Sequence, residues 1–91
     1  MSLTIIIPKA LQKFTSDAES IEVDAVTVKE LIDRIDDRHP GFRSRICDED
    51  GRLRRFINIY VAGEDIRFLD NLATQLCHGV EVSIIPAISG G

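Results

Sequence analysis

The 91-residue chain has no tryptophan, one tyrosine and four phenylalanines, so aromatics make up only 5% of it. A core must therefore come from Ile, Leu and Val, and a hydrophobic fraction of 44% is ample for one folded unit. Cysteine is nearly absent as well. Cys47 and Cys77 stand thirty residues apart, with no CxxC pair and no metal-ligand spacing to His39 or His78. The expectation is two reduced thiols in a cytoplasmic protein, and no metal site. Long apolar runs are missing too. "LTIII" and "SIIPAI" are far too short to cross a bilayer, and no basic start leads into an apolar segment, so neither membrane insertion nor secretion is expected.

Positive charge is the scarcer sign: 11 basic residues face 15 acidic ones, for a net charge of −4. The densest basic cluster is Arg52, Arg54 and Arg55 in "GRLRRF", with "CDED" just upstream. That is no continuous basic face, and nucleic acid is not an expected partner. A small arginine patch could still dock an acidic protein. The usual catalytic arrangements are missing as well: there is no glycine-rich phosphate loop and no G-x-S-x-G serine. Glu64 and Asp65 are adjacent, so an extended chain points them to opposite faces. His39 falls in the last turn of a predicted helix, near the negative end of its dipole, and His78 beside Gly79 is equally ordinary. No catalytic residue is expected, and the protein reads as something other than an enzyme.

What is present describes one domain, residues 1–91, large enough to bury roughly 60 to 68% of its unfolded surface. "LTIIIPKAL" predicts a largely buried strand over Thr4–Ile7, ended by Pro8. "TSDAES" reads as a polar turn, and "SIEVDAV" as a half-buried strand pairing antiparallel with the first. "VTVKELIDRIDDRHPG" carries helix signals at both ends. Thr27 and Glu30 form a capping box, Val26 and Leu31 are spaced as a hydrophobic staple, and Pro40–Gly41 stop the helix. Val28, Leu31, Ile32 and Ile35 make its apolar stripe. "FRSRICDEDGRLRR" reads as a long polar connection with one irregular turn near Ile46.

"FINIYVAGEDIRF" predicts a central strand with Phe56, Asn58 and Tyr60 on one face and Ile57, Ile59 and Val61 on the other. A tight turn at Ala62–Gly63 and a short antiparallel return follow. In "LDNLATQLCHG", Leu69, Leu72 and Leu76 approach helical spacing without enough length for a second solid helix. "VEVSIIPA" is the last strand, with Val80, Val82 and Ile84 alternating with Glu81, Ser83 and Ile85. Strand, strand, helix, connection, strand, short strand, strand is an α+β order. It describes a β-grasp: a mixed sheet of four or five strands with one main helix packed on it. A ferredoxin-like alternative would need the second helix.

The chain closes on "AISGG", a predicted flexible tail over residues 87–91. Two glycines next to a carboxylate contribute little to a fold but pass through a channel that any Cβ would block. A carboxylate is inert toward acyl transfer until activated, for which attack on the α-phosphorus of ATP is the available route.

"FINIYVAGEDIRFLDNLATQL", "GVEVSIIPA" and the closing "SGG" follow "IPKAL" and "TVKELIDRI…HPG" at a spacing that resembles the ubiquitin-like sulfur-carrier family. That group contains the small subunit of molybdopterin synthase and the carriers of thiamin and cysteine biosynthesis, and the resemblance covers nearly all of the chain. It implies that an E1-like adenylating and sulfur-transferring enzyme adenylates Gly91 at the expense of ATP. A C-terminal thiocarboxylate follows, with Gly90 and Ser89 passing through the partner's channel. The family often has alanine where Ser89 stands. Phe56 and Tyr60 resemble parts of the partner-docking surface, with core packing as the alternative for Phe56, and Arg67 would add directed charge. No cofactor is implied on the chain itself. "IIIPKALQKFT" and "RRFINIYVAGEDIRFLDNLAT" are more similar to the cysteine-biosynthesis carrier, whose acceptor is a pyridoxal-phosphate cysteine synthase. The molybdopterin-synthase large subunit is the alternative acceptor, and a metalloprotease that trims the tail is a further implied partner. A β-grasp module that binds without covalent chemistry is the reading of another class.

Overall fold

Strict alternation decides how the sheet lies. In the computed structural model, which describes residues 2–86, strand β1 (Ser2–Ile6) buries Leu3 and Ile5, and β2 (Ser20–Asp24) buries Ile21 and Val23. Strand β3 (Ile57–Val61) buries Ile57, Ile59 and Val61. The two-residue β4 (Glu64–Asp65) follows, and β5 (Glu81–Pro86) buries Val82 and Ile84. The five strands form one sheet in the order β2-β1-β5-β3-β4. β1 and β5 are parallel and every other pairing is antiparallel, so the sheet is mixed. The register lines Ile21, Ile5, Val82 and Val61 into one apolar row across four strands. Only a helix laid over that row can remove it from water.

Helix α1 (Val28–Arg38) is that cover, and its Val28, Leu31, Ile32 and Ile35 are all buried. Thr27 Oγ1 accepts the Glu30 N–H at 3.2 Å, as a capping threonine should. Glu30 Oε1 reaches back one residue further than a capping box requires, to the Val26 N–H at 2.8 Å. The predicted staple is not made, because Val26 is 65% exposed. The chain's entry angle is fixed instead by backbone pairing: Thr27 bridges Gln75, and the Leu76 N–H donates to the Val26 carbonyl at 2.8 Å.

Two other expectations are corrected. The first strand is not buried throughout, since Ile6 faces outward at 36% exposure; pleating overrides the continuous apolar run. Pro8 opens a 3-10 turn over Lys9–Phe14 that buries Leu11. The "polar connection" holds a second helix, α2 (Phe42–Ile46), whose Phe42 and Ile46 are fully buried. Their i, i+4 spacing puts both on one face, while three polar residues between them hide the signal. Asp36 Oδ1 satisfies the start of α2 by accepting the Gly41 and Arg43 N–H groups at 3.2 and 2.9 Å.

After β3 the chain reverses through Ala62 and Gly63, both at positive φ (52° and 86°), the conformation of a tight two-residue hairpin turn. The antiparallel return lasts only two residues. Asp65 Oδ1 takes the Arg67 N–H at 2.8 Å and starts a 3-10 turn over Ile66–Phe68. Leu72 and Leu76 pack against the core, while Leu69 is exposed.

Candidate partner surface at the root of the carboxyl terminus

The sheet has one covered face and one open face. Because α1 and α2 occupy the first, the outward-pointing residues of β1, β3 and β5 make the second: Ile6 and Ile85 are exposed, and Asn58, Tyr60 and Ser83 are half-buried. Tyr60 stands between Ser83 of β5 and Asp65 of β4 in the register, half-buried on the open side. The expectation that Tyr60 faces away from the core holds. Phe56 is 55% exposed, so the core-packing alternative for it does not hold.

Phe56 is exposed for a local reason. The Ile57 N–H donates to the Arg54 carbonyl at 3.0 Å, closing a turn that has Arg55 and Phe56 at its two corners. Corner side chains point away from the body of the protein. Arg67 fixes this turn from the other side. Its Nη2 donates to the Arg54 and Ile57 carbonyls at 3.0 and 2.9 Å, and its Nη1 donates to Asn58 Oδ1 at 2.7 Å. Arg67 thus ties the start of β3 together while its side chain remains at the surface. Sequence reading had no means of finding this clamp, because the bonds join residues 9 to 13 positions apart.

Pro86, opposite Ile57 in the register, brings the end of the described chain to this same corner. Ser89, Gly90 and Gly91 lie outside the described residues. The open face nevertheless ends where the tail must start. Two exposed apolar residues that no motif singled out also belong to the outer surface, Ile85 at 49% and Phe68 at 86%. For Ile85 the signal was its place in the alternation opposite Ile84.

A depression of about 660 Å³ lies beside α1 and α2, and Asp33 and Asp36 in its lining are already occupied. Asp33 accepts from Lys29 Nζ at 3.1 Å and from Arg43 Nε at 2.9 Å, and Asp36 pairs with Arg43 at 3.4 Å. Burial alone would raise the Asp33 carboxyl, yet the hydrogen bonds and charges of Lys29 and Arg43 outweigh it and hold the group below its usual range. Cys47 is buried at the edge of this depression, and burial pushes its thiol up; Cys77 is exposed, and neither forms a disulfide. Among the described residues no three His, Cys, Asp or Glu groups converge as metal ligands, and no helix is long and apolar enough to cross a membrane.

Comparison with known proteins accounts for this surface-only arrangement. The sequence profile of the ThiS family matches residues 5–91. The sulfur carrier protein CysO of Mycobacterium tuberculosis is 37% identical over 93 aligned residues, covering 100% of both chains. A chain in the crystal structure of the Amycolatopsis orientalis BexX/CysO complex superposes with a TM-score of 0.92 at 39% identity, covering 98% of this chain and 99% of that one. A putative molybdopterin converting factor subunit from Pyrococcus furiosus has a TM-score of 0.73 at 20% identity, covering 97% and 99%, and speaks for the fold alone. Sequence and β-grasp fold agree: the chain belongs to the ThiS family of small sulfur carriers, proteins that hold the reacting group rather than catalyse its transfer.

Proposed function

We propose that Gly91 is the acceptor of sulfur and that the sulfur is destined for cysteine biosynthesis. The observation that carries this reading is the reach of the family match, which runs through residue 91 and so takes in Ser89, Gly90 and Gly91. The identity to CysO over the full length of both chains favours cysteine over molybdopterin as the destination. An E1-like enzyme supplies the activation. A carboxylate oxygen of Gly91 attacks the α-phosphorus of ATP and pyrophosphate leaves. A sulfide sulfur then attacks the acyl carbon, AMP leaves, and a thiocarboxylate remains. Oriented donors and a metal ion for the phosphoryl step belong to that enzyme. This chain contributes a rigid handle and an unbranched end. Phe56, Tyr60 and Arg67 serve as its docking side chains, in keeping with the weight that aromatic and arginine anchors have at interfaces. A pyridoxal-phosphate cysteine synthase consumes the thiocarboxylate, and where the primary product carries residues beyond Gly91 a metalloprotease exposes the glycine. The site of action on this reading is the cytoplasm.

The test is intact-mass analysis after incubation with the cognate adenylating enzyme, ATP and sulfide. One terminal oxygen should be replaced by sulfur, and fragmentation should map the change to Gly91. The product, given a pyridoxal-phosphate cysteine synthase and an activated serine, should yield cysteine. Sulfur at an internal residue ends the carrier reading. Transfer to a molybdopterin-synthase large subunit with no cysteine formed would redirect the destination.

A further inference from the structure

On the helical side of the molecule Lys29, Arg34 and Arg43 sit in ion pairs with carboxylates of α1. Arg55 and Arg67, at the corner of the open face, do not. Among the described residues neither takes part in an ion pair, although the chain as a whole is acidic. All three acceptors on the Arg67 guanidinium are neutral oxygens. They fix the plane of the group without cancelling its charge, and among the described residues nothing engages Nε–H or the second N–H on Nη1. Asp65 is bonded to Arg67 only through the main chain, where its Oδ1 accepts the Arg67 N–H. Beside this held cation stands Phe56, 55% exposed, on the same turn as Arg55.

The position of this cluster gives it a purpose. Pro86 faces Ile57, and the Ile57 carbonyl is one of the oxygens that Arg67 holds. The described chain therefore ends beside the turn that carries Arg55 and Phe56 and that Arg67 holds. We infer that this corner is a preorganised cationic contact for an acidic rim around the entrance through which the adenylating partner receives the tail. Arg67 would meet a carboxylate with a guanidinium already fixed in place, Arg55 would add steering charge, and Phe56 would fill an apolar recess between them. This rests on the carrier reading above and goes further, by specifying the chemistry of the partner's entrance.

Arg55→Glu is the decisive variant, since Arg55 is exposed at a turn corner and bonded to no other side chain among the described residues. Its adenylation is followed by ATP–pyrophosphate exchange with the cognate enzyme at low and high salt. At low salt the KM for the variant should rise roughly tenfold with kcat essentially unchanged, as expected for reversing a charge at the rim of an interface. Wild-type KM should climb with salt more steeply than the variant's, because the reversed charge offsets the attraction of Arg67 and leaves less for salt to screen. Arg67→Lys, checked for folding, should also raise KM, since a lysine keeps the charge but loses the fixed planar fork. An Arg55→Glu protein with wild-type KM and wild-type salt dependence overturns the cationic contact and leaves the carrier reading standing. If the wild-type protein supports no exchange at all, both are overturned.

Discussion

Cys47 and Cys77 share a side chain and have opposite surroundings. Cys47 is 4% exposed beneath the 47–54 loop, with its thiol pushed above its ordinary value by burial, whereas Cys77 lies in the open connection before β5. The attacking species in thiol chemistry is the thiolate, which burial disfavours. A disulfide reagent at pH 8 should therefore titrate one thiol of the folded protein quickly, assigned to Cys77 by peptide mapping, and reach Cys47 only on unfolding. Equal rates for both would mean that the loop does not cover Cys47. The linkage to stability has a definite sign. In the unfolded chain Cys47 ionises near its ordinary value of 9.0, while in the folded chain it stays neutral to higher pH. Its contribution is thus complete below about pH 9 and is lost as pH rises beyond that, because the unfolded state then binds fewer protons. Sequence reading could place neither thiol. What separates them is the Cys47–Leu53 bridge, a contact of the folded state.

Legibility changes from element to element for a physical reason. Helix α1 was readable because Thr27, Glu30 and the apolar stripe are all local, and β3 and β5 because alternation is local too. Helix α2 was not, although Phe42 and Ile46 carry the right spacing. Five residues are too few to form a stable helix alone, so its existence depends on the core beneath it and on the Asp36 cap. The Val26–Leu31 staple failed for a related reason: the segment at 74–76 pairs with the backbone there and sets its course. Both helices should nevertheless carry stability. Leu31→Ala should cost about 2 to 5 kcal/mol and Phe42→Ala about 3 to 5 kcal/mol, the ranges for truncating buried side chains. Both residues are 0% exposed, and denaturant unfolding measures the loss. A Phe42→Ala loss under about 1 kcal/mol would demote α2 from core element to surface turn.

At the scale of the whole molecule the notable feature is a separation of duties. The core, the caps and the Arg67 clamp lie within residues 2–86, while the proposed chemistry lies at Gly91. None of the fold's internal contacts described above requires the last residue, which is also why the sequence made the terminus legible as a motif and left its docking geometry to the fold. One residue added after Gly91 should accordingly leave the body untouched. An Ala-extended protein is expected to melt within about 1 °C of the wild type, well below the ~4–8 °C that a loss of 1 kcal/mol produces in a domain of this size. It should nevertheless accept no sulfur, because the carboxylate has moved one residue beyond the position of attack and now carries a Cβ beside it. Gly90→Val should show the same dissociation in weaker form, with sulfur acceptance slowed by a branched side chain in a passage matched to glycine. The measurements are thermal melting and intact mass on the same preparations. Should the extended protein take up sulfur without first being trimmed, a free Gly91 carboxylate is not the acceptor. The non-covalent β-grasp module, which tolerates added residues, would then be the better description of the chain.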